Sequence, residues 1–268
     1  MKTYIVNSFT NEPFKGNPAG VCITDKELEA DIMLSIAKEL GYSETTFVFQ
    51  QNENKFLIRF FSPKMEIPLC GHASLAASKV IFEQNQSLNI IQFTNIQNLK
   101  LKIEKNDDNT IQMEFPKYAT IPFTVSNNLL SALGIKEVIN CVYNEETKIM
   151  LLHIKDCIVL QNLTPNFEAL YKSHDSLNGV LVTALSNKSD FDFESRYFWP
   201  WSGTNEDPVT GATHTFLAPY WGIILGKTKM KSFQCSKRTG FLKVNLLAED
   251  KMSIKGCAKI VLEGELKL

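Results

Sequence analysis

Hydrophobic and polar positions alternate over short stretches through most of the chain, and that period of two predicts strands. Residues 4–9, 46–49 and 56–61 are short runs of β-branched and aromatic residues with polar flanks. Residues 90–94, 99–103 and 110–115 alternate as half-buried strands do. Beyond Pro116 the texture resumes at 138–143, 148–154, 180–184 and 195–198, with four more strands between 232 and 262. Helical spacing is rarer. Residues 27–40 are amphipathic and follow Thr24-Asp25, a pair suited to capping, and 167–171 form a weaker helix after Pro165.

Sliding the chain against itself exposes a repeat. The stretch from Ser62 to Gly71 lies over that from Ser202 to Gly211 at a shift of 140 residues without a gap, matching Ser, Glu, Pro and Gly at four of ten places. Arg59-Phe60-Phe61 precedes the first copy and Arg196-Tyr197-Phe198 the second. Apolar helical stretches follow both, at 72–82 and 212–225. A shift of half the chain with the same strand-loop-helix context twice points to duplication.

The first of these helices has Ala73, Leu75, Ala76, Ala77, Val80, Ile81 and Phe82 and almost no polar face, so it must be surrounded. The second, with Phe216, Leu217, Ala218, Tyr220 and Trp221, has the same character, and Pro219 is expected to kink it or end its first section. The expected fold is α+β: two pseudo-symmetric lobes, each a curved, mostly antiparallel sheet wrapped around a central helix. The lobes are placed at 1–117 and 118–268, with the last strand a candidate to cross back to the first.

Composition narrows the function more by exclusion. Lys and Arg number 28 against 29 Asp and Glu, a net charge of -1, which argues against nucleic acid as a partner. No apolar run reaches the ~20 residues of a membrane helix. The start of the chain lacks the apolar core of a signal peptide, and the six cysteines contain no C-x-x-C pair. A cytoplasmic protein without membrane or nucleic-acid partners is the expectation.

Gly71 and Gly211 are read as opening the two helices, where free N–H groups and the helix dipole favour an anion. Two such ends facing each other would hold a carboxylate. The titratable candidates around them are Glu44, Glu66, Cys70, His72, Glu206, Asp207 and His214. Glu44 stands where a loop enters an apolar strand; local pattern alone reads it as an ordinary exposed glutamate at a strand start, and beside apolar groups it would suit general acid and base work. Cys70 reads as a buried structural cysteine. A two-thiol racemase is disfavoured because Thr210 is its counterpart in the repeat. His214 is equally a packed histidine, and His153 and His174 read as structural or surface residues.

Gly16-Asn17-Pro18-Ala19-Gly20-Val21, Ser43-Glu44-Thr45-Thr46-Phe47, Arg59-Phe60-Phe61-Ser62-Pro63, Pro68-Leu69-Cys70-Gly71-His72-Ala73, Glu206-Asp207-Pro208-Val209-Thr210-Gly211 and Pro219-Tyr220-Trp221 occur in this order. In that order and spacing the chain resembles the PhzF family, phenazine-biosynthesis-like proteins related in fold to diaminopimelate epimerase. The resemblance implies an isomerase that uses no metal or organic cofactor. In the phenazine enzyme a glutamate moves a proton along an allylic system, and Glu44 is the matching position. His72 and Asp207 match residues that bind and orient the substrate, and Gly71 and Gly211 match the helix-opening glycines. Ser43, Thr210 and Ala212 complete the expected substrate-binding set around a small anionic ligand. Ala212-Thr213 replaces the common Ser, moving or removing one hydroxyl. Relatives suggest a homodimer. An epimerase on the same fold and a non-catalytic binding protein are the competing readings.

Overall fold

Side-chain alternation along the first strand divides two covered faces. In the computed structural model, which describes residues 1–268, β1 is Lys2–Ser8 and β2 Asn17–Thr24. Tyr4 and Ser8, four residues apart on one face of β1, both reach the long apolar helix α2 (Gly71–Gln84). Gln84 donates to the Tyr4 hydroxyl at 2.8 Å, and the Ser8 hydroxyl donates to the His72 carbonyl at 2.6 Å. The opposite face carries Thr3, which meets Cys22 of β2 beneath α1 (Ala30–Leu40).

The chain divides into two compact units, one of residues 1–114 and 253–268, the other of 115–252. The first continues with β3 (Thr45–Asn52), β4 (Lys55–Phe61), β5 (Glu66–Ile67), β6 (Ile90–Thr94), β7 (Lys100–Lys105) and β8 (Ile111–Pro116). The second holds β9 (Ile121–Pro122), α3 (Asn127–Leu133), β10 (Asn140–Asn144), β11 (Ile149–His153), α4 (Cys157–Gln161), α5 (Phe167–Lys172), β12 (Gly179–Leu185) and β13 (Phe193–Trp199). It goes on through β14 (Thr204–Asp207), α6 (His214–Leu225), β15 (Lys229–Gln234) and β16 (Gly240–Leu246). β17 (Lys251–Gly256) runs through the division, and β18 (Ala258–Glu265) pairs antiparallel with β1. Residues 253–268, which include the last strand read as a candidate to cross back, group with the first unit, because a strand's partners need not be its neighbours in the chain.

The pairings of one unit repeat in the other. β1·β2, β3·β4 and β6·β7 are antiparallel, as are β10·β11, β12·β13 and β15·β16. β2·β3 and β4·β6 are parallel, as are β11·β12 and β13·β15. The register of the repeated loop also matches, Phe61 opposite Glu66 and Phe198 opposite Glu206. Arg59 forks onto Glu66 at 2.7 and 2.8 Å, and Arg196 onto Glu206 at 2.7 and 2.9 Å. Each guanidinium also lies over the Phe two residues on, at 5.4 and 4.9 Å from the ring centre. Even the loop carbonyls match: Asn95 donates to Pro68 O and Ser236 to Pro208 O, both at 2.6 Å.

Ten of the fourteen residues of α2 are buried, and its packing partners are β1, β2, β3 and β18. Its buried serines cost little because Ser74 and Ser78 donate back to the carbonyls four residues earlier, at 2.8 and 2.7 Å. α6 continues through Pro219, so the proline does not end it. Proline leaves the carbonyl of Thr215 without its helical donor, and the N–H of Tyr118 fills that place at 2.9 Å. Trp221 stacks on Phe193 and donates to Thr183 at 2.9 Å.

Other local expectations shift too. α1 begins at Ala30, and Thr24-Asp25 do not cap it; its preceding residue Glu29 makes no side-chain cap. β2 was legible as a motif and not as a strand, since Pro18 and Gly20 hide its alternation. α3 and α4 are too short for periodicity to reveal, though Ser126 and Asp156 cap them. With α5 they cover the sheet face formed by Met150, Leu152, Val180, Val182 and Phe198. No helix is long and apolar enough to cross a membrane.

If enclosure of the two helices holds each unit together, Leu75→Ala and Leu217→Ala, both fully buried, each lower the unfolding free energy by roughly 2–5 kcal/mol. Ile223→Ala, at a residue 86% exposed near the end of α6, changes it by less than about 0.5 kcal/mol. Urea midpoints of the three variants check the contrast.

Candidate active site

Two glycines in the first motif set up the polar cluster of the first unit. Gly16 has φ +67°, and a Cβ there would lie 2.1 Å from the Ser8 carbonyl oxygen, so only glycine fits. The turn it makes starts β2 at Asn17, whose amide lies 3.3 Å from Nδ1 of His72. Gly20 donates its N–H to the carbonyl of Glu44 at 3.1 Å and lies flat against Thr45. Glu44 is thereby fixed at the head of β3, while His72 sits in the first turn of α2.

Glu44 and His72 are each only 8% exposed, and Oε2 of Glu44 lies 3.1 Å from Nε2 of His72. The ring N–H is not aimed along that line, so the contact is a close ion-pair approach and not an aligned hydrogen bond. On the other side of the ring, Sγ of Cys70 lies 3.4 Å from Nδ1. Burial works against the imidazolium, yet the Cys70 sulfur and the Glu44 carboxylate more than offset it and hold His72 well above its ordinary pKa. Burial also works against the carboxylate, and the charge of His72, helped by Ser43, brings Glu44 below its ordinary value. For Cys70 burial wins and the thiol is pushed up. Because Cys70 therefore stays a thiol, the charge that sustains His72 is that of Glu44.

Thiol, imidazole and carboxylate each offer one ligand atom within 4.8 Å of the others, a donor set that could hold a metal ion. Sulfur and carboxylate approach different ring nitrogens, however, and an ion would take one nitrogen and release the other partner.

In the second unit the expected residues form one clamped loop. Thr210 donates its hydroxyl to Oδ2 of Asp207. Gln234 spans the loop: its amide donates to the Asp207 carbonyl at 2.7 Å, and its oxygen accepts from the Thr210 N–H at 2.9 Å. Gly211 does not open α6. A tight turn comes first, with His214 N–H on Gly211 O at 3.0 Å and Thr215 N–H on Ala212 O at 3.1 Å, and the helix starts at His214. Ala212 stands exposed on that turn, and the hydroxyl of Thr213 closes it by donating to Thr210 O at 3.0 Å. His214 is a packed residue. Its Nδ1 faces the Thr210 carbonyl at 3.0 Å and so carries the proton, and Nε2 accepts from Ser232 at 2.8 Å. Burial pushes its pKa down to about 4.

The structure thus gathers Ser43, Glu44, Gly71 and His72 in the first unit and Asp207, Thr210, Gly211 and Ala212 in the second. Glu66 and Glu206 are set apart as partners of Arg59 and Arg196. His153 is buried against Tyr220, whose hydroxyl is 3.0 Å from Nδ1. Sequence reasoning left Asn17 and Gln234 without roles and took Cys70 for a bystander. The paired glycines at 16 and 20 are the signal that β2 approaches something closely.

The fold is thus one of two like units around enclosed helices, and the first unit holds a buried carboxylate–imidazole pair. The sequence profile described as phenazine biosynthesis-like protein matches residues 6–264. The chain is 38% identical to mouse phenazine biosynthesis-like domain-containing protein 2, over 98% of each. It is 36% identical to an uncharacterized isomerase of Pseudomonas aeruginosa, over 98% of this chain and 97% of that one. A crystal structure of a PhzF-family protein from Enterococcus faecalis superposes with a TM-score of 0.92 at 35% identity, covering 100% of this chain and 99% of that one. The chain belongs to the phenazine biosynthesis-like (PhzF) family, and its α+β fold is the one expected from sequence.

The two pKa shifts act oppositely with pH. The Glu44 contribution to stability exists above its unfolded-state pKa and is lost as pH falls through its lowered folded value. That of His72 exists below its unfolded-state pKa and is lost as pH rises through its raised folded value. The pair is intact between those limits. In Glu44→Gln, ring-proton NMR therefore finds His72 titrating at lower pH than in the wild type, while His214 stays neutral down to about 4 in both.

Proposed function

We propose that the chain is an enzyme of the isomerase/epimerase class that shifts a proton on a small carboxylate-bearing substrate, with Glu44 as the acid/base. The observation that carries this reading is the 3.1 Å approach of Glu44 to a buried His72. A carboxylate kept ionised by one neighbouring cation can accept a proton from carbon. Once protonated it no longer supports the charge on His72, which favours handing the proton back at another carbon. His72 orients the substrate beside Glu44. The first-turn amides of α2, beginning at Gly71, favour its anionic group by ~0.3–1 kcal/mol, more where partly buried. In the second unit Asp207, Thr210 and the Gly211-Ala212 turn are proposed as substrate-binding residues, with Gln234 keeping their loop in shape.

This route needs no organic cofactor or metal. A two-thiol epimerase is less well supported, because the counterpart of Cys70 is Thr210, whose hydroxyl is already committed to Asp207. Incubating the protein with a metabolite mixture in D2O, with mass spectrometry as the readout, tests the proposal. The wild type incorporates solvent deuterium into a carboxylate-bearing compound, and Glu44→Gln lowers the rate at least about 100-fold. Undiminished uptake in Glu44→Gln rejects Glu44 as the acid/base.

A further inference from the structure

The proton-shift reading leaves Cys70 idle. Its sulfur lies 3.4 Å from Nδ1 of His72, and the opposite ring nitrogen lies 3.1 Å from the Glu44 carboxylate. Nucleophile, imidazole and carboxylate in that order around one ring are the arrangement by which cysteine hydrolases activate a thiol. Cys70 also occupies the residue before the fourteen-residue α2. The first intrahelical bond runs from Ser74 N–H to Cys70 O and the Ala73 N–H is turned to the Cys70 sulfur, which leaves the N–H groups of Gly71 and His72 without a partner within the helix. Donors at that position suit an oxyanion next to the sulfur. Cys22, Cys157 and Cys235 face Thr3, Gln161 and the Ser195 carbonyl, and Cys141 is simply buried. None has an imidazole beside it.

We propose that Cys70, His72 and Glu44 form a nucleophilic triad that takes an acyl group from small activated esters or thioesters onto the Cys70 sulfur. The proposal does not depend on the isomerase reading, although the two share His72 and Glu44. Sγ attacks the carbonyl carbon, its proton passes to Nδ1, and the oxyanion meets the first-turn amides of α2. The C–O or C–S bond of the leaving group breaks, and the departing alcohol or thiol takes the proton from Nδ1. Water then attacks the thioester, giving its proton to Nδ1, and the carboxylic acid leaves as the thiol recovers a proton. No oxidant, reductant or other co-reactant is needed. Glu44 serves here as a positioning residue, holding the ring and balancing its charge.

The groups facing the ring are Glu44 at the head of β3, Cys70 before α2, the Asn17 amide of β2 and, on the His72 carbonyl, Ser8 of β1. A thiol beside an imidazolium has no base, so the triad becomes nucleophilic when the cluster gives up one proton. Acylation should therefore rise with pH through the titration of His72.

The test uses p-nitrophenyl acetate on the full-length protein. The expected result is a burst of one nitrophenolate per chain, with peptide mass spectrometry placing the acetyl group on Cys70. Labelling should slow by about 100-fold or more in His72→Gln and disappear in Cys70→Ser. Acetyl on other cysteines or lysines with Cys70 bare overturns the proposal, as does Cys70 labelling at an unchanged rate in His72→Gln. Should His72→Gln fail to fold, the wild type is compared with a free peptide of residues 68–74. Faster acetylation of the protein supports the triad, and equal or slower acetylation overturns it. Acetylation is read on sulfur and isomerisation on solvent deuterium, so either reading can fail visibly without the other.

Discussion

A helix with almost no polar face has to be enclosed, and both units of this chain are organised around that requirement. α2 hides its apolar sides against strands and returns its serine hydroxyls to its own carbonyls. α6 hides Phe216, Leu217 and Trp221 and borrows a donor from Tyr118 where Pro219 withdraws one. In α2 enclosure leaves the N-terminal end as the place where free backbone donors meet polar side chains, whereas the first N–H groups of α6 are taken up by the turn before it.

Holding such an end in place requires the preceding loop to be rigid, and both copies solve this with the same parts. An arginine on the incoming strand forks onto the loop glutamate, and a side chain just beyond the next parallel strand ties down the loop proline's carbonyl. A forked guanidinium–carboxylate pair fixes orientation as well as distance, which a lysine in its place would not. Glu66 and Glu206 therefore matter to the site by setting the path of the loop, though neither takes part in its chemistry.

These devices were unequally legible in the sequence. The strands, the apolar helices and the 140-residue repeat can be read directly, because period and composition are local properties. Glu44 and His72 can be nominated from the motifs that carry the family resemblance, since the local pattern around Glu44 is that of an ordinary strand start. What cannot be read is which groups share a ring. Cys70, two residues from His72, looks like core until the ring is seen between sulfur and carboxylate. β2 was hidden because Pro18 and Gly20 mimic a loop, whereas Gly20 is there to let Thr45 approach. The last strand was a candidate to cross back, but its partner β1 lies more than 200 positions away and its register belongs to no local pattern.

The repeat also shows how duplication can separate two tasks. At the shared shift Cys70 corresponds to Thr210, His72 to Ala212 and Ile67 to Asp207. The first copy kept titratable groups facing one another, where burial makes each charge depend on its partner: a buried carboxylate without His72, or an imidazolium without Glu44, would carry an uncompensated charge. The second copy has a self-bonded loop at these positions, Thr210 on Asp207 and Gln234 across both. One loop can then change protonation state while the other keeps its shape. A symmetric pair, with a histidine and a cysteine in both copies, would have to stabilise two mutually dependent buried charge clusters. Divergence after duplication confines that cost to one.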